Sequence, residues 1–146
     1  MSALVFVDAN VLLAGSGSRS GASRAVLSLG EFGLIQLVAT RQVLDEVERN
    51  LRLKLPAGLP VLAELLLHIQ LRVLDNPAPG AIERWFSLIE PADAPLLEAA
   101  LQAGALYFLT LNTKYFTPAV AAATGLNIPT PGEFVQQIRR ILAAGL

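Results

Sequence analysis

The sequence has no cysteine and a single histidine. Without thiols there is no disulfide framework and no thiolate chemistry. One histidine, His68, also leaves zinc sites and Ser-His-Asp catalysis with little support. Charge is sparse: only 16% of residues are charged and the net charge is −1. No broad basic field therefore steers a polyanion to the chain, which weighs against a simple DNA-binding module. Any polyanion partner would have to be held by a few local cations and a metal. Uninterrupted apolar runs of about 18 residues are also missing. The most apolar region, 59–74, is broken by Glu64, His68, Gln70 and Arg72. No basic leader opens the chain, and Asp8 interrupts what would be a signal-peptide core. These absences lead to the expectation of a soluble, cytoplasmic protein that does not enter a membrane.

What is abundant is apolar side chain, 53% of 146 residues. That is enough for one compact domain over 1–146, with a surface available for self-association. Residues 4–7 form a short apolar run rich in valine and phenylalanine. This is the pattern of a strand buried on both faces, as in a parallel sheet. Residues 15–21, rich in glycine and serine, read as a flexible link. They lack the Gly-Lys-Ser/Thr that a P-loop requires. Helical spacing follows over 22–29, then a strand over 34–39. Thr40 is a natural N-cap for a helix over 41–54 whose buried stripe is Val43, Leu44, Val47 and Leu51. A helix over 59–70 is apolar nearly all round and is expected to be largely buried. A strand over 72–74 and a short helix over 81–89 follow, the latter with Trp85 and Phe86 as core anchors. Asp93 opens a helix that has Pro95 in its first turn and ends at Gly104. A strand over 105–109, a helix over 118–124, a strand over 126–128 and a helix over 131–142 complete the chain. The alternation predicts an α/β/α sandwich with a central, mostly parallel sheet of four to five strands.

Three acids stand out by their setting. Asp8 follows the first strand, Glu46 lies one turn into the Thr40 helix, and Asp93 precedes the helix leading to the fourth strand. Asn112 follows the end of that strand. In open parallel sheets functional groups gather beyond the carboxyl ends of the strands. If the acids converge there, two carboxylates about 4 Å apart repel by roughly 4 kcal/mol at an effective dielectric near 20. Oxygen ligands of this kind suit Mg²⁺ or Mn²⁺. Each residue also has an ordinary reading. Asp8 suits a turn, and Asp93 suits an N-cap. Glu46 and Glu48 flank the apolar stripe on opposite sides, so helix geometry does not choose between them. Spacing alone leaves both readings open.

Other side chains have plainer readings. Arg41, Arg49 and Arg52 form a solvated helix face rather than a phosphate track. His68, on a strongly apolar helix, reads as a buried structural histidine. Trp85, Phe86, Tyr107 and Phe108 read as core rather than as base-stacking platforms.

Four fragments in order carry a family resemblance. They are Phe6-Val7-Asp8-Ala9-Asn10-Val11, Val43-Leu44-Asp45-Glu46-Val47, the run from Asp93 to Ala105, and Leu109-Thr110-Leu111-Asn112-Thr113-Lys114-Tyr115-Phe116. Together they resemble the PIN domain, a family that includes the VapC-type toxins of toxin–antitoxin pairs. The resemblance implies an α/β/α sandwich and an Mg²⁺- or Mn²⁺-dependent ribonuclease. It implies that Asp8, Glu46 and Asp93 are the metal-binding and catalytic acids, with Asn10 and Thr110 in support. An antitoxin partner and a homodimer are implied as well. The chain departs from the family where Asn112 stands in place of an aspartate, and at Tyr115, near which another acid often occurs. Asparagine can coordinate through its carbonyl oxygen or hold a metal-bound water, but it brings no charge. Lys114 is the one cation close in sequence to this set and is a candidate phosphate contact; a solvated loop lysine is the alternative.

Rival readings are fewer. A haloacid-dehalogenase-type phosphatase would want an aspartate at Asn10, and a receiver domain would want paired acids before Asp8. A PIN-fold protein with impaired catalysis, binding RNA or a protein partner, is the alternative that Asn112 and Tyr115 keep open.

Overall fold

The computed structural model describes residues 3–145. Its centre is a sheet of four parallel strands: β1 (Ala3–Val7), β2 (Ile35–Thr40), β3 (Arg72–Leu74) and β4 (Tyr107–Leu109). Their spatial order is β3-β2-β1-β4. β1 lies inside the sheet, and its consecutive residues Val5, Phe6 and Val7 are all fully buried. Burial of successive residues means that both faces of the strand are covered, as its unbroken apolar run predicts. The register pairs Val7 with Leu109 and Thr40 with Leu74. Asp8, Thr110 and the start of the helix after β2 therefore share the carboxyl edge of the sheet.

Eight α-helices surround these strands among the described residues. α1 (Ala9–Gly17) and α2 (Ala22–Glu31) connect β1 to β2, and α3 (Arg41–Lys54) and α4 (Gly58–His68) connect β2 to β3. These four helices pack on one another. α5 (Pro79–Ile82), a 3₁₀ turn (Glu83–Trp85) and α6 (Ala94–Gln102) lead to β4. That last crossover runs back across the sheet in the opposite direction, so the right-handed rule carries α5 and α6 to the other face. α7 (Pro118–Thr124) and α8 (Pro131–Gly145) close the fold, α8 against α2. The result is the three-layer α/β/α arrangement expected.

Several local expectations need correction. The segment 15–21 is not a plain link, because α1 continues through Gly17. Gly15 is there for packing rather than flexibility: a Cβ on it would collide with Leu27 of α2. α4 is not largely buried. Only Gly58 and Leu62 are, while Leu67 is 80% exposed and His68 is also exposed. The helix packs chiefly on α1 and α3, so its outer side faces solvent. The expected strand at 126–128 reduces to one bridge between Tyr107 and Asn127, because Pro129 follows and cannot donate to a ladder. The segment 81–89 breaks into α5, the 3₁₀ turn and further turns. Trp85 packs on the core, but Phe86 does not, being 45% exposed.

Aromatic contacts tie the carboxyl edge together. Phe6 stacks on Phe108 with centroids 5.0 Å apart, and Phe108 stacks on Phe116 at 4.6 Å. β1, β4 and the loop after β4 thus share one rigid core.

Candidate active site

Asp8 stands where β1 becomes α1. Its backbone N–H extends the ladder by donating to Leu109 O at 3.0 Å. Its carboxylate sits against the first turn of α1 and accepts from Ala9 N at 2.7 Å. The positive end of a helix dipole favours negative charge at this place. Oδ2 accepts from Thr110 Oγ1 at 2.8 Å and from Asn10 Nδ2 at 3.3 Å. The ordinary reading of Asp8 as a turn residue is therefore too little, since its side chain joins the ends of two strands.

Asn10 and Thr110 complete that junction. Asn10 Nδ2 also donates to Thr110 Oγ1 at 3.2 Å, and Asn10 Oδ1 accepts from Leu111 N at 2.9 Å. Thr110 Oγ1 accepts from Asn112 N at 2.9 Å. The loop after β4 is thus pinned to α1 by side chains about a hundred residues away in sequence. Asn112 itself is half-buried in this loop, and its carbonyl accepts from Phe116 N at 3.1 Å.

Glu46 and Asp93 face the same edge from two other elements. Thr40 caps α3 by accepting from Val43 N at 3.3 Å, which sets the rotation of the helix. Val43 and Val47 are then fully buried. Glu46 is half-buried, whereas Asp45 and Glu48 are exposed, so the choice that helix geometry left open is made by packing. Asp93 precedes α6 in a turn, but its side chain makes no capping hydrogen bond. The N-cap explanation for Asp93 is therefore removed. Sequence reasoning missed the residue that holds this turn. Gln42 Nε2 donates to Ala92 O at 3.1 Å, and Gln42 N donates to Asn76 Oδ1 at 3.0 Å. This tether ties the start of α3 to the residue before Asp93. No periodicity marks it, because the partner is a backbone carbonyl fifty residues away.

The three acids feel one another. Burial pushes the Asp8 carboxyl up, against the hydrogen bonds from Thr110, Ala9 and Asn10. Burial and the Asp8 charge raise Glu46, partly offset by Arg49. Burial, then the charges of Asp8, Glu46 and Glu90, push Asp93 up to about 6. Among the described residues none of the three has a lysine or arginine at ion-pair distance. Like charges gathered with only the more distant Arg49 to offset them call for a proton or a cation. Equally, among the described residues no group of three or more histidine, cysteine, aspartate or glutamate side chains is arranged to hold a metal ion by itself. The donor set is all oxygen, which suits a hard cation, and Mg²⁺ commonly takes one or two carboxylates and keeps several waters. The residues fit such an ion with water completing its shell.

In the loop after β4, Lys114 lies over the Tyr115 ring, with Nζ 5.6 Å from the centroid. Arg41, Arg49 and Arg52 are exposed, as a solvated face predicts. His68 is not the buried residue expected. It is exposed and lines a separate groove with Glu64 and Arg24. A further acid went unremarked. Glu98, 3% exposed on α6, accepts from Arg84 Nε and Nη2, Trp85 Nε1 and Gln102 Nε2 at 2.8–3.0 Å. Burial raises its carboxyl, but these hydrogen bonds and the Arg84 charge outweigh burial and hold it low. Its sequence signal is a lone acid at an otherwise buried position of α6. With its oxygens saturated, Glu98 is a structural knot.

The chain matches a family model described as PIN domain over residues 4–114. No curated protein sequence is significantly similar to it. Solved structures share its fold at low identity. VapBC2 from Rickettsia felis, bound to a DNA fragment from its promoter, is 17% identical with a TM-score of 0.63, covering 86% of this chain and 96% of that one. PAE2754 from Pyrobaculum aerophilum is 17% identical with a TM-score of 0.63, covering 92% and 88%. VapC20 from Mycobacterium tuberculosis, a sarcin-ricin loop cleaving toxin, is 16% identical with a TM-score of 0.58, covering 82% and 95%. The family match spans most of the chain and includes the strand ends and the loop that carry Asp8, Glu46, Asp93 and Asn112, and on that match the chain belongs to the PIN-domain family.

Proposed function

We propose that this protein is a divalent-metal-dependent ribonuclease, acting as the toxin of a cytoplasmic toxin–antitoxin pair and working as a homodimer. The observation that carries the reading is the gathering of Asp8, Glu46 and Asp93 at one sheet edge, each with a raised pKa and none with an ion-pair partner. Asp8 and Asp93 would hold Mg²⁺ or Mn²⁺, with Glu46 ligating directly or through water. When bound, the ion supplies charge for the phosphate oxygens and lowers the pKa of a bound water. Glu46 would also help to position the attacking water or take its proton, since its carboxyl is half-buried and projects from α3 rather than from a strand end. Thr110 and Asn10 fix the Asp8 carboxylate in one orientation. Asn112 orients a water at the rim of the site. The partner is proposed from the similar structures, which include toxin–antitoxin complexes.

A second reading rests on Asn112. With one anion fewer than the family pattern, the protein would bind RNA or a protein partner without cutting. Incubation of single-stranded RNA with the purified protein separates the two. Cleavage is expected with Mn²⁺ or Mg²⁺ and not with EDTA, and Asp8→Asn should reduce it at least a hundredfold. RNA left intact under both metals would favour the binding module.

A further inference from the structure

A cleft of about 360 Å³ opens between the turn that carries Phe86 to Pro91 and the loop after β4 that carries Lys114 and Tyr115. Its two walls each present an aromatic ring to solvent: Phe86 is 45% exposed and Tyr115 41%. Neither ring is loosely hung. Phe86 follows Trp85, which the Glu98 knot holds through its indole N–H at 2.8 Å, and Phe86 N donates to Glu83 O at 3.1 Å. Tyr115 precedes Phe116, which is buried and stacked on Phe108, and Asn112 O accepts from Phe116 N to close the turn. Two aromatic residues are thus kept in water by anchors immediately beside them. Apolar rings seek burial, so such placement leaves a surface ready for a flat ligand.

The cleft adjoins the candidate active site through the chain: Glu90 on its rim accepts from Asp93 N at 2.9 Å through its carbonyl, and Asn112 belongs to the same loop as Lys114. Lys114 sits over the Tyr115 ring and brings one positive charge to the cleft. An aromatic pair with one cation suits a nucleotide, whose base stacks while its phosphate meets the ammonium. The chain as a whole has a net charge of −1. Electrostatic attraction to RNA is therefore weak, and stacking has to carry much of the affinity.

We infer that this cleft is a base-stacking subsite for single-stranded RNA, in which Phe86 and Tyr115 hold an unpaired base next to the scissile phosphate and Lys114 contacts the adjoining phosphate. The inference rests on the nuclease reading above for its position but not for its chemistry, because stacking requires no hydrolysis.

The test is binding of a fluorescein-labelled, mixed-sequence RNA decamer in EDTA, where cutting is off, followed by anisotropy. Phe86→Ala and Tyr115→Ala should each weaken binding about tenfold, with far-UV circular dichroism unchanged because both side chains are exposed. Tyr115→Trp should bind within twofold of the parent or more tightly. Lys114→Ala should lower the slope of log K against log salt by roughly 0.7, the value for one phosphate contact on a single strand. If the protein cuts RNA with Mn²⁺ yet both alanine variants bind within twofold of the parent, the subsite is wrong and the nuclease reading stands. Such a result would leave the cleft as a surface for a protein segment. If RNA is never cut but the aromatic dependence appears, the subsite stands and the nuclease reading falls. If RNA is neither bound nor cut, both fall.

Discussion

At the scale of single residues, protonation decides much. Asp93 has its pKa raised from 3.8 to about 6 by burial and by neighbouring acids. The folded protein therefore binds a proton there that the unfolded chain has released, over the interval between those values. In that interval stability falls as pH rises. Below about 4 both states are protonated and the group costs nothing; above about 6 both are ionised and the full repulsion is present. In EDTA, Asp93→Asn should raise the melting temperature at pH 7 and leave it unchanged near pH 3.5. An equal shift at both pH values would show that Asp93 carries no such penalty. Asn112, in turn, bears on metal affinity. It is half-buried in a loop whose backbone Thr110 Oγ1 fixes, so an aspartate there would start from a defined backbone position. Asn112→Asp should tighten Mn²⁺ binding by about tenfold or more, as an added anionic ligand would. Unchanged affinity in calorimetry would put Asn112 outside the metal's surroundings.

At the scale of elements, the site depends on how separate segments are tied. Glu98 gathers Arg84, Trp85 and Gln102, and so fixes the turn before α6 from which Phe86 and Glu90 project. Glu98→Ala would strand the Trp85 indole N–H in a partly buried setting and cost about 2–3 kcal/mol. That corresponds to a fall in melting temperature on the order of 5–10 °C. A fall of 1 °C or less in a thermal scan would mean that the knot is dispensable. What could be read beforehand divides along the same lines. β1 was legible because burial on both faces leaves an unbroken apolar run, and α3 because Thr40 and the Val43–Val47–Leu51 stripe follow helical spacing. α1 was not, since Gly15 and Gly17 look like a break in sequence, whereas Gly15 marks a close helix contact. The 59–70 helix was misjudged because its apolar content says nothing about whether a second layer covers it. Asp8, Glu46 and Asp93 were legible as a set only through their order and neighbours. The Gln42 tether and the Asn10–Thr110 junction join residues fifty to a hundred apart, and such contacts leave no local pattern.

At the scale of the molecule, the apolar surplus goes beyond what the core uses. Phe32, Leu34, Leu53 and Leu67 are each more than 60% exposed, and among the described residues no helix is long and apolar enough to cross a membrane. These side chains are available to the homodimer proposed above, in which a second copy would cover apolar surface. Sedimentation at micromolar concentration should give a species of twice the 15.5 kDa chain mass; a single monomeric species would refute it. The molecule's central feature is nevertheless the carboxyl edge of its parallel sheet, where β1, α3 and the turn before α6 deliver acids that repel one another. The most direct test is a calorimetric titration of Mn²⁺ into the intact protein at pH 7.5. Saturable binding that is lost in Asp8→Asn is expected. No binding heat in the parent protein, or equal binding in the variant, would contradict it.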